Sequence, residues 1–390
     1  MSEHYDIVVI GGGIHGVGVA QAAACHGYSV LVLEQHALAS GSSSRSSKLI
    51  HGGLRYLEGY DFALVRESLA ERDILLRIAP ELVRLQPFFI PVYPDTSRRP
   101  WLLRAGLSLY ALLDGFGHGS RFNTLPRQTW GSLDGLDTNG LQTVFRYHDA
   151  QTNDADLTRA VMQSAIQHGA ELACPAEFTR ARVLPDGCEV DYRVNGNEQH
   201  CKASVLVNAA GPWVDRVDAL VSPQPAPVAI DLVQGTHLVM QEPVQAGCYY
   251  VEAPQDRRAI FLLPWGEHSL LGTTERTYRG DPRAVQATDT EEAYLLEVQQ
   301  HYFPQRTTEV VGRFAGLRVL PAAQGGTFGR TRETHLEIDN PDQPRRLSIY
   351  GGKLTGYRAT AEKIMKQLRR TLPARKPVAD TAEVTLTPVD

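Results

Sequence analysis

Gly11, Gly13 and Gly16, in the run Gly11-Gly-Gly-Ile-His-Gly16, and the acid Glu34 are the residues whose types and spacing point most directly to chemistry. In a Gly-x-Gly-x-x-Gly turn the first glycine allows a tight bend. The second lets the backbone approach a pyrophosphate, and the third lets a helix pack closely on a strand. The N–H groups and positive dipole end of that helix then favour phosphate. An acid about 20 residues further on accepts hydrogen bonds from a ribose. The chemistry is dinucleotide binding.

The motif carries weight only if the right elements hold it. Residues 5–10 are an apolar, β-branched run, a buried strand. Residues 17–26 have a helical pattern stopped by Gly27, and a second apolar run, 28–33, ends in Glu34. Strand, glycines, helix, strand and acid in that order form the βαβ fingerprint. A glycine-rich turn in another α/β fold is the competing reading.

The chain has 390 residues, which favours two domains. It is 43% hydrophobic and 21% charged, with a formal net charge of -5. That balance gives no global attraction to nucleic acid. No apolar run reaches the roughly 20 residues that span a bilayer. The first strand begins almost at once, so no signal peptide is expected. Five scattered cysteines without Cys-x-x-Cys spacing read as buried or inert thiols in a reducing compartment. No metal-ligand spacing is present, so no metal is expected.

Further along, residues 40–47 are polar and read as flexible, and 61–78 are helical. Prolines at 80, 87, 91, 94 and 100 read as an exit from the first domain. Residues 101–113 are apolar nearly all round, with Arg98, Arg99 and Arg104 at one end. They read as a buried helix or a membrane-surface helix. Residues 154–168 predict a helix, and strands follow at 176–184, 189–193 and 205–208. Residues 222–227 are a proline-rich crossing. Strands are expected at 236–240, 249–251, 259–263 and 269–271, with a helix at 291–301. Residues 325–329 read as a glycine loop. The end returns to the first pattern: strand 347–350, turn 351–356, amphipathic helix 357–372. The fold class is α/β, with a first domain built from three separated pieces and a mostly antiparallel second domain inserted between them.

Several blocks resemble one family. They are Ile10-Gly-Gly-Gly-Ile-His-Gly16, Ser46-Ser-Lys-Leu-Ile-His-Gly-Gly-Leu-Arg-Tyr-Leu57, Asn208-Ala-Ala-Gly-Pro-Trp213, Gly235-Thr-His237, Gly272-Thr-Thr274, Gly316-Leu-Arg318 and Tyr350-Gly-Gly-Lys-Leu-Thr355. Their order and content are similar to the FAD-dependent glycerol-3-phosphate dehydrogenases of the D-amino-acid-oxidase-like (DAO) flavoproteins. The block at 46–57 is the most specific. The resemblance implies a Rossmann-like FAD-binding domain of the glutathione-reductase type with an inserted antiparallel substrate (cap) domain. It implies a division into 1–90, 145–222 and 330–390 for FAD, and 91–144 and 223–329 for the cap. Respiratory members of the family continue into a C-terminal helical domain beyond the last flavin helix, and this sequence ends at Asp390, soon after that helix.

The resemblance also implies site roles. FAD, held noncovalently, would contact Gly11, Gly13, Ile14, His15, Gly16 and Glu34. Ser46, Ser47, Lys48, His51 and Gly53 would line its pyrophosphate and flavin edge. Ala210 and Gly211 would sit near the adenine half, and Gly352, Lys353, Leu354 and Thr355 near the flavin. Lys353 and a helix N-terminus at the final turn would stabilise the reduced flavin, against the alternative of a solvated lysine at a plain helix start. Arg55 and Arg318 would grip the substrate, because a guanidinium binds phosphate or carboxylate bidentately. The alternative for each is a buried ion pair. His237 would act as base and His51 as an orienting residue, although a lone strand histidine is also a common structural feature. Tyr56, Thr273 and Thr274 would supply hydroxyls around the substrate.

The expected activity is oxidation of sn-glycerol 3-phosphate to dihydroxyacetone phosphate. A lack of a second nucleotide fingerprint favours a quinone or similar acceptor. The competitors are a related FAD enzyme acting on a 2-hydroxy acid or amino acid, and a catalytically idle FAD-binding subunit. The expected location is cytoplasmic, with peripheral contact to the cytoplasmic membrane face and no nucleic-acid partner.

Overall fold

A computed structural model describes residues 3–115, 119, 121–322 and 334–389. The glycine loop expected at 325–329 lies outside the described residues. Two large sheets organise the chain. The first has nine strands, with Glu3–Ile10 at its centre, parallel to Val30–Leu33 on one side and Asn197–Asn208 on the other. Ala170–Ala173 extends it beyond Val30–Leu33, and Arg346–Tyr350 lies parallel to Asn197–Asn208. These strands carry near-continuous apolar residues, as parallel strands buried on both faces must. Helix Ile14–Cys25 is buried on nearly every side, sharing one core with helices Asp154–Gln167 and Tyr357–Leu368.

The second sheet has ten strands, and its pairings are antiparallel except between Cys248–Glu252 and Val83–Val92. Its longest pairing joins Ile230–Met240 to Val310–Pro321, with Gly235 opposite Gly316 and Val233 opposite Arg318. Helix Asp289–Tyr302 starts with a capping box, in which Thr288 and Glu291 satisfy each other's backbone N–H groups.

Four local expectations change. Strands Val83–Val92 and Thr143–Thr152 pair along their whole length in the second sheet, so 83–90 and 145–152 run with it rather than with the nucleotide-binding strands. The prolines suggested a linker, yet Pro87 and Pro91 lie inside the strand. Alternate residues face alternate edges, so both missing N–H groups fall on one edge. The polar run at 40–47 is held rather than flexible. Ser42–Ser44 forms a 3₁₀ turn, Ser42 Oγ donates to the Leu317 carbonyl at 2.6 Å, and Arg45 Nη1 donates to the Ala315 carbonyl at 3.2 Å. The last helix stops at Leu368, ahead of Pro373. Among the cysteines, Cys174 is exposed and the other four are buried.

Candidate active site

A cavity of about 800 Å³ opens at the carboxyl ends of the parallel strands and runs across the face of the second sheet. Ligands of open α/β sheets bind at these strand ends. The turns after Glu3–Ile10, Val30–Leu33, Asn197–Asn208 and Arg346–Tyr350 all reach it. So do Gly11, Gly13, Ile14, His15, Glu34, Ser46, Ser47, His51, Gly53, Ala210, Gly211, Gly352, Lys353, Leu354 and Thr355. Arg55, Tyr56, His237, Thr273 and Arg318 line it too. The sequence-predicted residues therefore converge, with three exceptions.

Gly16 sits behind the wall, where a Cβ would lie 2.0 Å from the Gly11 carbonyl oxygen, so its part is close packing. Lys48 is buried in an ion pair. Its Nζ lies 2.5 Å from Asp154 Oδ1 and donates to the Ser44 carbonyl, while Asp154 Oδ2 accepts from the Ser46 N–H. Lys48 thus holds the serine turn instead of facing the cavity. Thr274 also turns away, donating to Glu291 Oε1 at 2.6 Å and accepting from the Thr236 N–H.

At the glycine turn, Gly11 has φ +108° and a Cβ there would lie 2.6 Å from the Ala209 carbonyl oxygen. Glu34 accepts from the Gly12 N–H at 2.7 Å and the His36 N–H at 2.8 Å, leaving further lone pairs on both oxygens. Ser43 Oγ accepts from the Ile14 N–H at the helix start. Sequence reasoning missed Ser43; the serine run after the acid was its only signal. Across the turn, Gly352 has φ +111°, and a Cβ would lie 2.1 Å from His15 Nε2. Both His15 nitrogens and Trp213 Nε1 are buried without a hydrogen-bond partner among the described residues. Burial pushes the His15 pKa down to about 4, so the ring is neutral. Orphaned donors and acceptors of this kind call for a polar ligand. Together with the glycine cradle and the length of the cavity, they fit FAD.

The other end carries the expected substrate groups. Arg318 Nη2 lies 3.5 Å from Thr273 Oγ1, and its Nη1 is 3.9 Å from Glu275 Oε2. The closer partner of that oxygen is Arg258, at 2.7 Å. Among the described residues, the ion-pair contact of Arg318 is thus to a carboxylate that Arg258 holds more closely. Arg258 and Glu275 both line the cavity and were missed, having no local motif. Gly235 makes room here, since a Cβ would lie 2.9 Å from Arg318 Nη2. Arg55 and Tyr56 stand on the 3₁₀ turn Leu54–Gly59. Glu58 on that turn has its pKa lowered, chiefly by its bond to Arg98 and also by Arg55.

His237 is buried behind Ser47, with 3.0 Å between Nε2 and Ser47 Oγ, and it stacks on Phe314 at 5.1 Å. Loss of hydration, then Arg318 and Lys48, push its pKa down to about 3. Thr355 Oγ1 accepts from the His51 N–H at 3.1 Å, so its hydroxyl ties two backbone segments together. Lys353 Nζ lies 3.8 Å from the centre of the Tyr56 ring, a cation–π contact. The helix after it begins at Tyr357 with Gly356 as its N-cap, so Lys353 precedes the helix by several residues.

The sequence pattern of the family described as FAD dependent oxidoreductase matches residues 6–379. A glycerol-3-phosphate dehydrogenase of Pseudomonas aeruginosa is 38% identical over 95% of this chain and 72% of its own length. The aerobic glycerol-3-phosphate dehydrogenase of Escherichia coli is 37% identical over 94% of this chain and 74% of its own. The crystal structure of the Bacillus halodurans glycerol-3-phosphate dehydrogenase complexed with FAD superposes with a TM-score of 0.76. It is 26% identical and covers 98% of this chain and 68% of that one. With a cradle that fits the cofactor and a family match along nearly its whole length, the chain belongs to the FAD-dependent oxidoreductase (DAO) family, among the relatives that include the glycerol-3-phosphate dehydrogenases.

Proposed function

We propose that the protein oxidises the secondary alcohol of sn-glycerol 3-phosphate, or of a close phosphorylated polyol, to the ketone. The observation that carries this reading is the presence of Arg55 and Arg318 on the wall of the same cavity as the glycine cradle. The two curated relatives described above, named for glycerol-3-phosphate dehydrogenation, support it. When bound, FAD supplies a two-electron acceptor for the hydride leaving the carbinol carbon.

The chain's own residues do the rest. The turn at Gly11 and Gly13 and the neighbouring Ser46 and Ser47 cradle the pyrophosphate, and Glu34 holds the ribose. Arg55 and Arg318 take the phosphate of the substrate as planar forks. Tyr56 and Thr273 orient its hydroxyls. His237 takes the role of base; loss of hydration, then Arg318 and Lys48, hold its pKa near 3, below the near-neutral value that best suits a general base. A phosphate dianion on Arg318 offsets one of those cations, which is the lesser cause; the loss of hydration, the larger one, stays in place. His51 orients the group beside it.

Electrons then leave to a quinone at a membrane surface. Helix Pro100–Leu113 supports this, exposing Trp101, Leu102 and Leu112 near Arg99 and Arg104, while Arg98 is taken up by Glu58 and Glu252. Tryptophan and arginine at the edge of an apolar helix face suit a bilayer interface. No helix among the described residues is long and apolar enough to cross a membrane.

Anaerobic addition of substrates to the FAD-loaded protein tests the reading. Glycerol 3-phosphate bleaches the flavin, and a 2-hydroxy acid and an amino acid do not. A flavin that stays yellow with glycerol 3-phosphate would mark an idle subunit, and bleaching by the carboxylates alone would move the substrate to that class.

A further inference from the structure

We propose that Tyr110 is a positioning residue for the substrate-binding turn: its hydroxyl anchors the Gly52 N–H and thereby sets where Arg55 and Tyr56 stand. The inference rests on the reading that Arg55 binds the substrate phosphate. The Gly52 N–H donates to Tyr110 Oη at 2.9 Å, and Tyr110 donates to Asp149 Oδ2 at 2.8 Å. Asp149 Oδ1 in turn accepts from Arg72 Nη1 at 3.1 Å. Arg72 also reaches Asp114 at 3.0 Å and Asp73 at 2.9 Å. Tyr110 and Arg72 are fully buried, and Asp149 is 1% exposed.

The direction of this chain is set by chemistry. An amide N–H can only donate and a carboxylate can only accept, so the phenol between them must do both. Three elements meet on one backbone N–H: helix Pro100–Leu113 through Tyr110, strand Thr143–Thr152 through Asp149, and helix Phe62–Ile78 through Arg72. The neighbouring His51 N–H is held separately, by Thr355 Oγ1. Immediately after Gly52, Gly53 takes φ +79° and the turn Leu54–Gly59 begins. Two consecutive backbone donors are therefore pinned just ahead of the arginine and tyrosine that face the cavity. A buried network of this kind, fully satisfied, rigidifies what it touches. Removing the hydroxyl leaves the Gly52 N–H and one carboxylate oxygen of Asp149 without it, which frees the turn without emptying the core around the ring.

The test is Tyr110→Phe in the FAD-loaded protein, with three readouts. Dihydroxyacetone phosphate binding to the oxidised enzyme is followed by the flavin spectrum. KM and kcat are measured with glycerol 3-phosphate, and FAD content and Tm are measured alongside. The expected result is a Kd and KM raised about tenfold, the loss of one charge-assisted hydrogen bond, with kcat and FAD content kept. A lowered Tm with unchanged Kd and KM would overturn the proposal and leave Tyr110 a structural residue only. If Tyr110→Phe does not fold, Asp149→Ala decides, because it removes the acceptor that aims the Tyr110 hydroxyl at Gly52. A raised Kd in the folded variant supports the proposal and an unchanged Kd overturns it. Arg55→Lys, run in parallel, separates the two claims. Unchanged phosphate affinity there would sink the role of Arg55 itself, whereas a loss in Arg55→Lys without one in Tyr110→Phe would sink only the positioning role.

Discussion

The burial of His237 has a consequence for stability as well as for chemistry. Its imidazolium would lose hydration and face Arg318 and Lys48, so the folded ring refuses a proton until the pH falls to about 3. In the unfolded chain the same ring titrates near 6.5. Between those values the unfolded state binds the extra proton, so this group makes stability fall as pH is lowered and return as pH rises. His15, with its pKa pushed to about 4, acts with the same sign. Asp149 acts with the opposite sign, because burial raises its carboxyl to about 6 and the folded state takes that proton first. Comparison with His237→Asn isolates the histidine. From about pH 7 to about pH 5 the parent loses more Tm than the variant, and equal losses would contradict the burial account. Residues like Gly11, Glu34, Arg55 and Arg318 were legible because each stands in a local motif. Lys48 sat in such a motif too, yet its ion pair is with Asp154, more than a hundred residues away. No spacing rule reaches that far. The same holds for Arg258 and Glu275, which meet only once the second sheet has formed.

At the level of elements, helix Pro100–Leu113 buries one face and exposes the other. Leu103, Leu107, Tyr110 and Ala111 face the core, while Trp101 is 68% exposed and Leu112 58% exposed. An apolar residue at nearly every position hid which face would be covered. The outward face predicts binding of the protein to anionic liposomes in a sedimentation assay at low salt. Trp101→Ser combined with Leu112→Ser should cut the bound fraction severalfold. A parent protein that stays in the supernatant would remove membrane contact from the account. Strong helices and parallel strands were the most readable elements, since their apolar periods are long and uninterrupted. Strand Val83–Val92 was not readable, because prolines at 87 and 91 argue against a strand until its neighbours are known.

For the molecule as a whole, the two sheets divide the labour. The first presents strand-end turns that fit FAD, and the second supplies His237, Thr273 and Arg318 from its own strands and turns. Arg55 comes from the turn after Leu49–Ile50, itself a strand of the second sheet, so the substrate groups all hang on that sheet and converge with the FAD-fitting turns of the first across one cavity. That convergence is the central claim, and Arg318→Ala tests it most directly in an anaerobic flavin titration. The variant should retain FAD but need about a hundredfold more glycerol 3-phosphate for half-bleaching, the loss expected for a bidentate guanidinium–phosphate contact. A variant that bleaches at the parent's concentration would contradict the account.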